Sequence, residues 1–308
     1  MIKSRPARVP FAKLHGLGND FIVTGVGGWD PRDRKLAFGK SKEASALFLR
    51  RLATEICDRH TGVGADGLLL LAPPLTSSND AEVRFFNSDG GEAEMSGNGI
   101  RCAGAFLMEA GGYESPLRIE TKAGVKTLDV VGAGGGSWTF RVAMGNPILE
   151  PGMIPFKARN ISAPVIGYEL ELRGGRQKGT ITSMGNPHCS ILVESFDDLN
   201  WCELGREIES HPLFPNRTNV EFIKVASRDK IEVRFWERGA GATASSGTGS
   251  CAAAVASFLN GYTARKVQVM TMGGSLSVEW PEGGEIFLTG PAQWIAEGVY
   301  SCWSKRAK

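Results

Sequence analysis

Apolar and polar residues alternate over several short stretches of the chain, with the period of two that is typical of β-strands. The clearest alternation covers residues 231–236, and a second β-rich stretch covers residues 83–86. Residues 68–72 form an apolar run whose length predicts a buried strand. Residues 138–143 predict another strand, which follows a turn-rich segment at residues 132–137. The pattern therefore favours a chain made mostly of strands and turns.

Two longer segments, residues 100–110 and 250–259, are rich in alanine and other apolar residues, and their length predicts two buried helices. Each segment follows a predicted strand and a glycine-rich turn that ends in Ser-Gly-x-Gly, at residues 96–99 and 246–249. The second copy lies 150 positions after the first. A repeat of this length is too long for a solenoid unit, and we interpret it as a duplicated domain.

Each Ser-Gly-x-Gly loop is predicted to lie at the N-terminus of its helix. There the first backbone N–H groups and the positive end of the helix dipole can hold an anion. Two such helices could bind one carboxylate, with Gly97, Asn98, Gly247 and Thr248 as donors. The alternative is that each serine only caps its helix, since serine is a preferred N-cap residue. The presence of two matching copies favours a functional role.

The composition narrows the possible classes of function. The 308 residues are enough for two domains, and 42% of them are hydrophobic, which argues against a disordered chain. A formal net charge of +2 gives no support for a nucleic-acid partner. No apolar run approaches the roughly 20 residues that span a bilayer. The basic residues at the start are not followed by an apolar region, so we expect no secretory signal. We expect no nucleic-acid or membrane partner, and we expect the basic ends, residues 1–8 and 304–308, to be solvated tails.

The cysteines and histidines predict neither a disulfide framework nor a metal site. No two cysteines form a CxxC pair, which indicates free thiols and a reducing, cytoplasmic location. The four histidines are far apart, and none has the spacing of metal ligands on a helix. The six cysteines are Cys57, Cys102, Cys189, Cys202, Cys251 and Cys302.

Six sequence motifs extend over most of the chain: KLHGLGNDFIV (residues 13–23), CDRHTGVGADG (57–67), FFNSDGGEAEMSGNGIRC (85–102), SMGNPHC (183–189), FPNRTNVEF (214–222), and WERGAG (236–241) followed by SGTG (246–249). Jointly, and in this order, they resemble the diaminopimelate epimerase family. The resemblance implies an α/β (α+β) fold of two pseudo-symmetric domains, each a β-barrel-like sheet wrapped around a central helix, with the site in the cleft between them. It implies an N-terminal half of residues 1–143 plus 292–308 and a C-terminal half of residues 144–291.

The resemblance also implies a reaction, the two-base interconversion of LL- and meso-2,6-diaminopimelate in lysine and peptidoglycan-precursor biosynthesis. Neither a cofactor nor a metal takes part in it. Inverting an α-carbon needs a base on one face and an acid on the other, which two equivalent loops can supply. The expected partner is the small-molecule substrate, and a homodimer is a further expectation.

By resemblance, catalytic roles fall on Ser96, Ser246, His188 and Glu237. Plainer alternatives exist: Asn19, Asn186 and Asn219 as turn residues, Glu237 with Arg238 as a surface ion pair, and His188 as a structural residue. Arg238 suits a carboxylate because of its fork of donors, and Glu237 suits an ammonium group. The substrate-binding residues that the resemblance implies are Asn19, Asn87, Gly97, Asn98, Asn186, Asn219, Glu237, Arg238, Gly247 and Thr248.

The chain departs from the family at the residues that carry its chemistry, because the family's catalytic cysteines correspond to Ser96 and Ser246. A serine hydroxyl is a far weaker acid than a thiol, whose pKa is about 8.5 and can be lowered further. Ala242 also stands where the family usually has Glu, and Ser245 where it usually has Ala. Four explanations are open: engineered serines, a natural relative with altered chemistry such as a dehydratase or isomerase, a binding protein that kept the pocket, or substitution by nearby thiols. The last explanation concerns Cys102 and Cys251.

Overall fold

The computed structural model describes residues 7–25, 42–111, 113–159 and 161–302. It forms two compact units, one made of Met1–Phe140 with Pro291–Lys308 and the other of Arg141–Gly290. The chain passes between the units within a strand on both occasions. The basic ends that we expect to be solvated tails lie almost wholly outside the described residues.

The first unit contains two helices among its strands. Its elements are β1 (Ala7–Gly16), β2 (Asn19–Gly25), α1 (Lys42–Cys57), β3 (Gly67–Ala72), β4 (Ala81–Asn87), β5 (Glu92–Ala93), α2 (Gly97–Ala110), β6 (Leu117–Thr121), β7 (Gly124–Gly134), the start of β8 (Ser137–Gly145) and the end of β17 (Ile286–Cys302).

The second unit begins within β8 and contains a short 3-10 helix at Pro151–Met153. Its other elements are β9 (Val165–Leu172), β10 (Gly175–Ser183), β11 (Pro187–Leu192), α3 (Trp201–Glu209), β12 (Asn219–Ser227), β13 (Lys230–Glu237), β14 (Gly241–Thr243), α4 (Gly247–Leu259), β15 (Lys266–Thr271), β16 (Gly274–Glu279) and the start of β17.

The two units pair their strands in the same order. In the first unit, β1 runs antiparallel to β2, β2 parallel to β3, β3 antiparallel to β4, β4 parallel to β6, and β6 antiparallel to β7. In the second unit, the same succession joins β10 to β11, β12, β13, β15 and β16. Parallel neighbours need a crossover connection, and a helix lies in each one. The repeated topology supports the interpretation of the sequence repeat as a duplication.

One buried helix lies at the centre of each unit. The helix α2 packs on β1 to β4, and α4 packs on β10 to β13 and on β15 and β16. Ile100 and Val255 are wholly buried in these helices, and burying an aliphatic side chain of this kind contributes about 1.5–3 kcal/mol. At Gly104 a Cβ would lie 2.9 Å from Leu128 Cδ2, so glycine allows α2 to approach the sheet. The α/β fold with a central helix in each half is confirmed.

Strong apolar patterns in the sequence predict the elements correctly. The alternating stretches lie in β4, β8 and β13, and the apolar run lies in β3. Both predicted helices exist but begin three residues earlier than expected, at Gly97 and Gly247. The turn predicted over residues 132–137 is wrong in extent, because β7 continues to Gly134 and β8 begins at Ser137. Only Gly135 and Gly136 form the turn, with φ values of 59° and 74°.

In the part of the chain that the structure describes, no helix is long and apolar enough to cross a membrane. Among the same residues, no group of three or more His, Cys, Asp or Glu side chains could hold a metal ion. All six cysteines are free thiols.

Candidate active site

A serine caps the central helix of each unit with nearly the same geometry. Ser96 has φ −131° and ψ 127°, and its Oγ accepts a hydrogen bond of 3.1 Å from the N–H of Gly99. Ser246 has φ −134° and ψ 127°, and its Oγ accepts one of 3.2 Å from the N–H of Gly249. The capping role considered from the sequence is therefore correct. It also fixes each hydroxyl at the N-terminus of a buried helix.

The first turns of these helices offer backbone donors. The N–H groups of Gly97, Gly247 and Thr248 have no acceptor among the described residues. The first N–H groups of a helix lack intrahelical partners, and they coincide with the positive end of the dipole. Each helix N-terminus can therefore attract a carboxylate, as the loop pattern predicts.

Three asparagines with predicted binding roles lie close to the first serine loop or at the end of a neighbouring strand. Asn98 is buried in the first turn of α2, and its Nδ2 donates to Asn19 Oδ1 at 3.2 Å. Asn19 begins β2, and its own Nδ2 donates to Asp66 Oδ2 at 2.7 Å. Asn87 is exposed at the end of β4. Its side chain has no hydrogen-bond partner in the described part of the chain.

Charged residues brace the strand that carries Asn19. Arg59 donates to both carboxylate oxygens of Asp20 and to Asp66 Oδ1, and Lys13 Nζ lies 3.0 Å from Asp20 Oδ2. Burial of Asp20 opposes its ionisation, but the hydrogen bonds and charges of Arg59 and Lys13 prevail and hold its pKa below the usual value. The network keeps the end of β1 and the start of β2 in place beside Asn19.

In the second unit, Ser246 is joined to a carboxylate. Its Oγ donates to Glu237 Oε2 at 3.0 Å, and Thr243 Oγ1 donates to Glu237 Oε1 at 2.7 Å. Glu237 lies at the end of β13, and the short strand β14 separates it from the loop that carries Ser246. Among the described residues it forms no ion pair with Arg238, so the surface ion pair considered from the sequence is wrong.

The carboxyl group of Glu237 has a raised pKa. The residue as a whole is half-buried, yet the carboxyl group is closely surrounded by protein atoms, and this loss of hydration raises its pKa above 4.5. The hydrogen bonds from Thr243 and Ser246 and the nearby His188 lower the pKa but do not cancel the rise, to which Glu221 adds. A carboxylate with a raised pKa is a stronger base than one in water.

His188 is wholly buried on β11 and has partners at both ring nitrogens. Its Nδ1 lies 2.6 Å from Glu221 Oε1, and its Nε2 lies 2.9 Å from Asn186 Oδ1. Glu221 is buried as well and accepts a second hydrogen bond, of 3.0 Å, from Ser190. A carboxylate only accepts, so Nδ1 carries a hydrogen. Asn186 Nδ2 lies 3.5 Å from Thr248 Oγ1, which links His188 to the first turn of α4.

Asn219 and Arg238 belong to one bracing network in the second unit. Asn219 accepts a hydrogen bond of 3.0 Å from the N–H of Arg238 and donates one of 3.0 Å to the carbonyl of Pro187. It is therefore more than a turn residue. The guanidinium of Arg238 is exposed and donates to the carbonyl of Asn216 at 3.2 Å. A buried carboxylate, Glu209, accepts from the indole N–H of Trp236 and the backbone N–H of Gly239, on either side of Glu237 and Arg238.

The thiols near the loops are unsuited to proton transfer. Cys102 and Cys251 are wholly buried within α2 and α4. Burial raises the pKa of Cys102 to about 12. The structure therefore gives no support to the explanation in which these two thiols take over the chemistry.

Four charged residues that brace the candidate site were not among the residues predicted from the sequence. They are Asp66, Arg101, Glu209 and Glu221. Arg101 had a visible signal, because it is a charged residue within an apolar helix. The other three act on residues distant in sequence, and no local pattern marks them.

The fold resembles that of solved epimerases. Hydroxyproline epimerase from Agrobacterium vitis has a TM-score of 0.68 and 15% identity, over 98% of this chain and 94% of that one. At this identity the likeness concerns the fold alone.

The diaminopimelate epimerase family profile matches residues 11–150 and 180–295. The diaminopimelate epimerase of Pelotomaculum thermopropionicum is 44% identical over 94% of this chain and 98% of its own length. That of Desulfitobacterium hafniense is 42% identical over 93% and 96%. This chain therefore belongs to the diaminopimelate epimerase family.

Proposed function

We propose that this protein is a diaminopimelate epimerase that interconverts the LL and meso forms by two proton transfers, without a cofactor. Its relatives support the substrate and the type of reaction. The hydrogen bond between Ser246 and Glu237 carries the proposal, because it joins a hydroxyl to a carboxylate of raised pKa at a helix N-terminus. Donors that face the developing charge of a carbanion stabilise it most in such a site.

Ser96 and Ser246 take the places of the two proton-transfer groups in this proposal. When Ser246 Oγ removes the α-proton, its own hydroxyl proton passes to Glu237, so the serine need never exist as a free alkoxide. The electron pair left on the α-carbon spreads into the substrate carboxylate, which the N–H groups of Gly97, Gly247 and Thr248 stabilise. Ser96 then donates its hydroxyl proton to the other face of the α-carbon. Solvent water returns a proton to Ser96 Oγ and takes up the proton held by Glu237, so both groups regain their starting state. The reverse reaction exchanges the two roles, with solvent as the acceptor of the Ser96 hydroxyl proton.

The remaining predicted residues bind the substrate in this proposal. Arg238 has an exposed guanidinium, which suits it to a carboxylate. His188 is held by Glu221 and Asn186 through its two ring nitrogens. The amide side chains complete the set with Asn19, Asn87, Asn98, Asn186 and Asn219. A cytoplasmic location is supported by the free thiols, and a homodimer by the family resemblance alone.

A second candidate function is binding of diaminopimelate without turnover. The serine hydroxyls favour it, since a serine hydroxyl is a far weaker acid than the thiol that the family uses. Binding without turnover requires the same binding residues but no proton transfer.

Incubation with LL-diaminopimelate in deuterated water, followed by NMR, separates the two functions. An epimerase incorporates α-deuterium and forms meso product. Saturable binding without deuterium uptake would establish the binding protein instead. Absence of both binding and exchange would refute both functions.

A contaminating host epimerase could imitate slow turnover. The matched control is the double variant Ser96→Ala/Ser246→Ala, purified in the same way, which lacks both hydroxyls. Deuterium uptake that persists in this variant would come from another source.

A further inference from the structure

Four side chains form a continuous line of hydrogen bonds through the first unit. Arg101 donates to Asn98 Oδ1 at 2.7 Å, Asn98 Nδ2 donates to Asn19 Oδ1 at 3.2 Å, and Asn19 Nδ2 donates to Asp66 Oδ2 at 2.7 Å. These residues come from β2, α2 and the loop before β3. Two of them, Asn19 and Asn98, have proposed binding roles, and the two ends of the line have none.

The chemistry of the ends fixes the direction of the whole line. A guanidinium can only donate, and an ionised carboxylate can only accept. Each asparagine amide must therefore turn its oxygen toward Arg101 and its nitrogen toward Asp66. An asparagine amide on its own could adopt either of two orientations that differ by a flip of O and N. Here Arg101 and Asp66 allow only one of these two orientations.

Both ends are held in place by other contacts. Arg101 is wholly buried, and it donates to the carbonyls of Gly97 at 2.9 Å and Pro291 at 3.0 Å. Asp66 accepts from Arg59 at 2.8 Å and from the N–H of Asp20 at 3.1 Å. Rotation of either end would break several of these bonds, so the orientation of the two amides is built into the fold.

The fixed orientation of its amide determines which kind of ligand group Asn19 can bind. Its side chain forms two hydrogen bonds among the described residues, one from its oxygen to Asn98 and one from its nitrogen to Asp66. Because an amide nitrogen carries two hydrogens, one N–H of the half-buried Asn19 remains to meet a ligand. A group that accepts hydrogen bonds, such as a carboxylate, fits this N–H, whereas an ammonium group does not.

We propose that Arg101 and Asp66 are positioning residues that set Asn19 to donate to a substrate carboxylate. This inference rests on the proposed function for the identity of the ligand. The orientation of the line itself can be tested without any ligand.

An exchange of side chains tests the direction of the line. The double variant Asn19→Asp/Asp66→Asn keeps the net charge and a hydrogen bond between the two positions but reverses its direction. Residue 19 then offers only acceptors. The single variant Asp66→Asn is the matched control, because both variants replace the same carboxylate, which accepts from the N–H of Asp20.

The expected result is a double variant whose thermal midpoint is at least that of the single variant. Its affinity for diaminopimelate in calorimetric titration should be at least about tenfold weaker than that of the unaltered protein, as loss of a hydrogen bond to a charged group predicts. Binding by the double variant as tight as that of the unaltered protein would overturn the proposal. If the unaltered protein does not bind diaminopimelate, the proposed function fails while the orientation of the line is still measured as follows.

The side-chain amide signals of Asn19 in ¹⁵N NMR give that measurement. In the unaltered protein one Nδ2 proton should be shifted strongly downfield and protected from exchange, because it is bound to a carboxylate. Asp66→Asn should remove this signature, and Asp58→Asn, the same change at an exposed position of the same loop, should retain it. An unchanged Asn19 signal in Asp66→Asn would overturn the proposed role of Asp66 even if the double variant failed to fold.

Discussion

At the scale of single residues, Glu237 is a proposed catalytic group whose carboxyl is shielded from water. Its carboxyl group accepts hydrogen bonds from Thr243 and Ser246, but the loss of hydration prevails and raises its pKa. A weakly acidic hydroxyl such as that of Ser246 needs an acceptor of this kind beside it. The structure therefore joins the hydroxyl of Ser246 to a carboxyl group whose pKa is raised by burial.

The raised pKa makes stability depend on pH in a definite direction. A carboxyl group that ionises less readily when folded contributes stability below its ordinary pKa of 4.5 and loses it as pH rises through the raised value. Each unit of rise is worth about 1.4 kcal/mol. We expect Glu237→Gln to raise the free energy of unfolding at pH 8 and to have little effect below pH 4.5, as urea titrations at both pH values would show. The exposed change Glu282→Gln is the control and should show no such dependence; a parallel dependence in both variants would contradict the argument.

Glu237→Gln should also abolish most of the turnover. Because Gln cannot accept the hydroxyl proton of Ser246, the rate of α-deuterium exchange should fall by about 10²–10⁴-fold, the usual contribution of a general base. In the unaltered protein this rate should increase with pH through a midpoint above 4.5, as Glu237 becomes ionised. A Glu237→Gln variant with undiminished exchange would exclude Glu237 as the acceptor.

At the scale of elements, both serine loops pack against an aromatic ring, one from β4 and one from β13. A Cβ at Gly99 would lie 3.0 Å from the ring of Phe85, and one at Gly249 would lie 2.9 Å from the ring of Phe235. The same additions would lie 3.1 Å and 3.0 Å from the Cβ atoms of the capping serines. The close packing of helix on strand thus positions the two serine hydroxyls, and only glycine permits it.

Alanine at these positions should destabilise both units alike. In an open helix, replacing glycine by alanine stabilises by about 1 kcal/mol. Here we expect Gly99→Ala and Gly249→Ala each to cost about 1–3 kcal/mol of unfolding free energy, as overpacking does. Gly152→Ala is the control, since a Cβ there meets nothing within 4 Å, and it should change stability by less than about 0.5 kcal/mol. Stabilisation by Gly249→Ala would show that the ring can move aside.

The helix α3 positions the strand end that carries Glu237 through one carboxylate. Glu209 accepts hydrogen bonds from Trp236 and Gly239 and an ion pair from Arg217. Glu209→Ala should cost about 1–3 kcal/mol for the buried indole N–H that is left without an acceptor, and should raise the KM for diaminopimelate. The control is Glu207→Ala on the same helix, which loses one exposed hydrogen bond to Arg173 and should leave KM unchanged. Equal effects of the two variants in chemical denaturation and kinetics would contradict a positioning role for Glu209.

Local patterns in the sequence predict the elements and the two loops but not the residues that brace them. The alternation in β13 and the alanine-rich α4 each depend on neighbours along the chain, so they are visible in the sequence. The contacts of Asp66 with Asn19 and of Glu209 with Trp236 join residues that come together only when the sheets form. For the same reason the sequence could not show that Glu237 pairs with Ser246 rather than with Arg238.

At the scale of the whole molecule, duplication has produced two similar loops with different partners. The topology, the capping geometry and the glycine–phenylalanine packing are repeated in the two units. The position equivalent to Glu237 in the first unit is Asn87, which cannot take a proton as a carboxylate does. Ser96 accepts a hydrogen bond from Gly99, and no carboxylate among the described residues of its unit pairs with it. The two halves of the proposed reaction are therefore chemically unequal.

Introducing thiols at both loops tests whether the two units act in series. Epimerisation needs one proton transfer at each loop, so a single serine that remains should limit the rate. We expect Ser96→Cys and Ser246→Cys each to raise kcat/KM by less than about tenfold, and the double variant to raise it by about 10²–10⁴-fold. A thiol at the exposed turn, Ser88→Cys, is the control for added reactivity and should have no effect.

If Ser96→Cys alone gave the full gain in kcat/KM, the loop without a carboxylate partner would be the sole obstacle. The Ser246–Glu237 pair would then already be a competent base. If Ser246→Cys alone gave it, that pair would be the weak step, and the coupling proposed here between the hydroxyl and the carboxylate would be wrong.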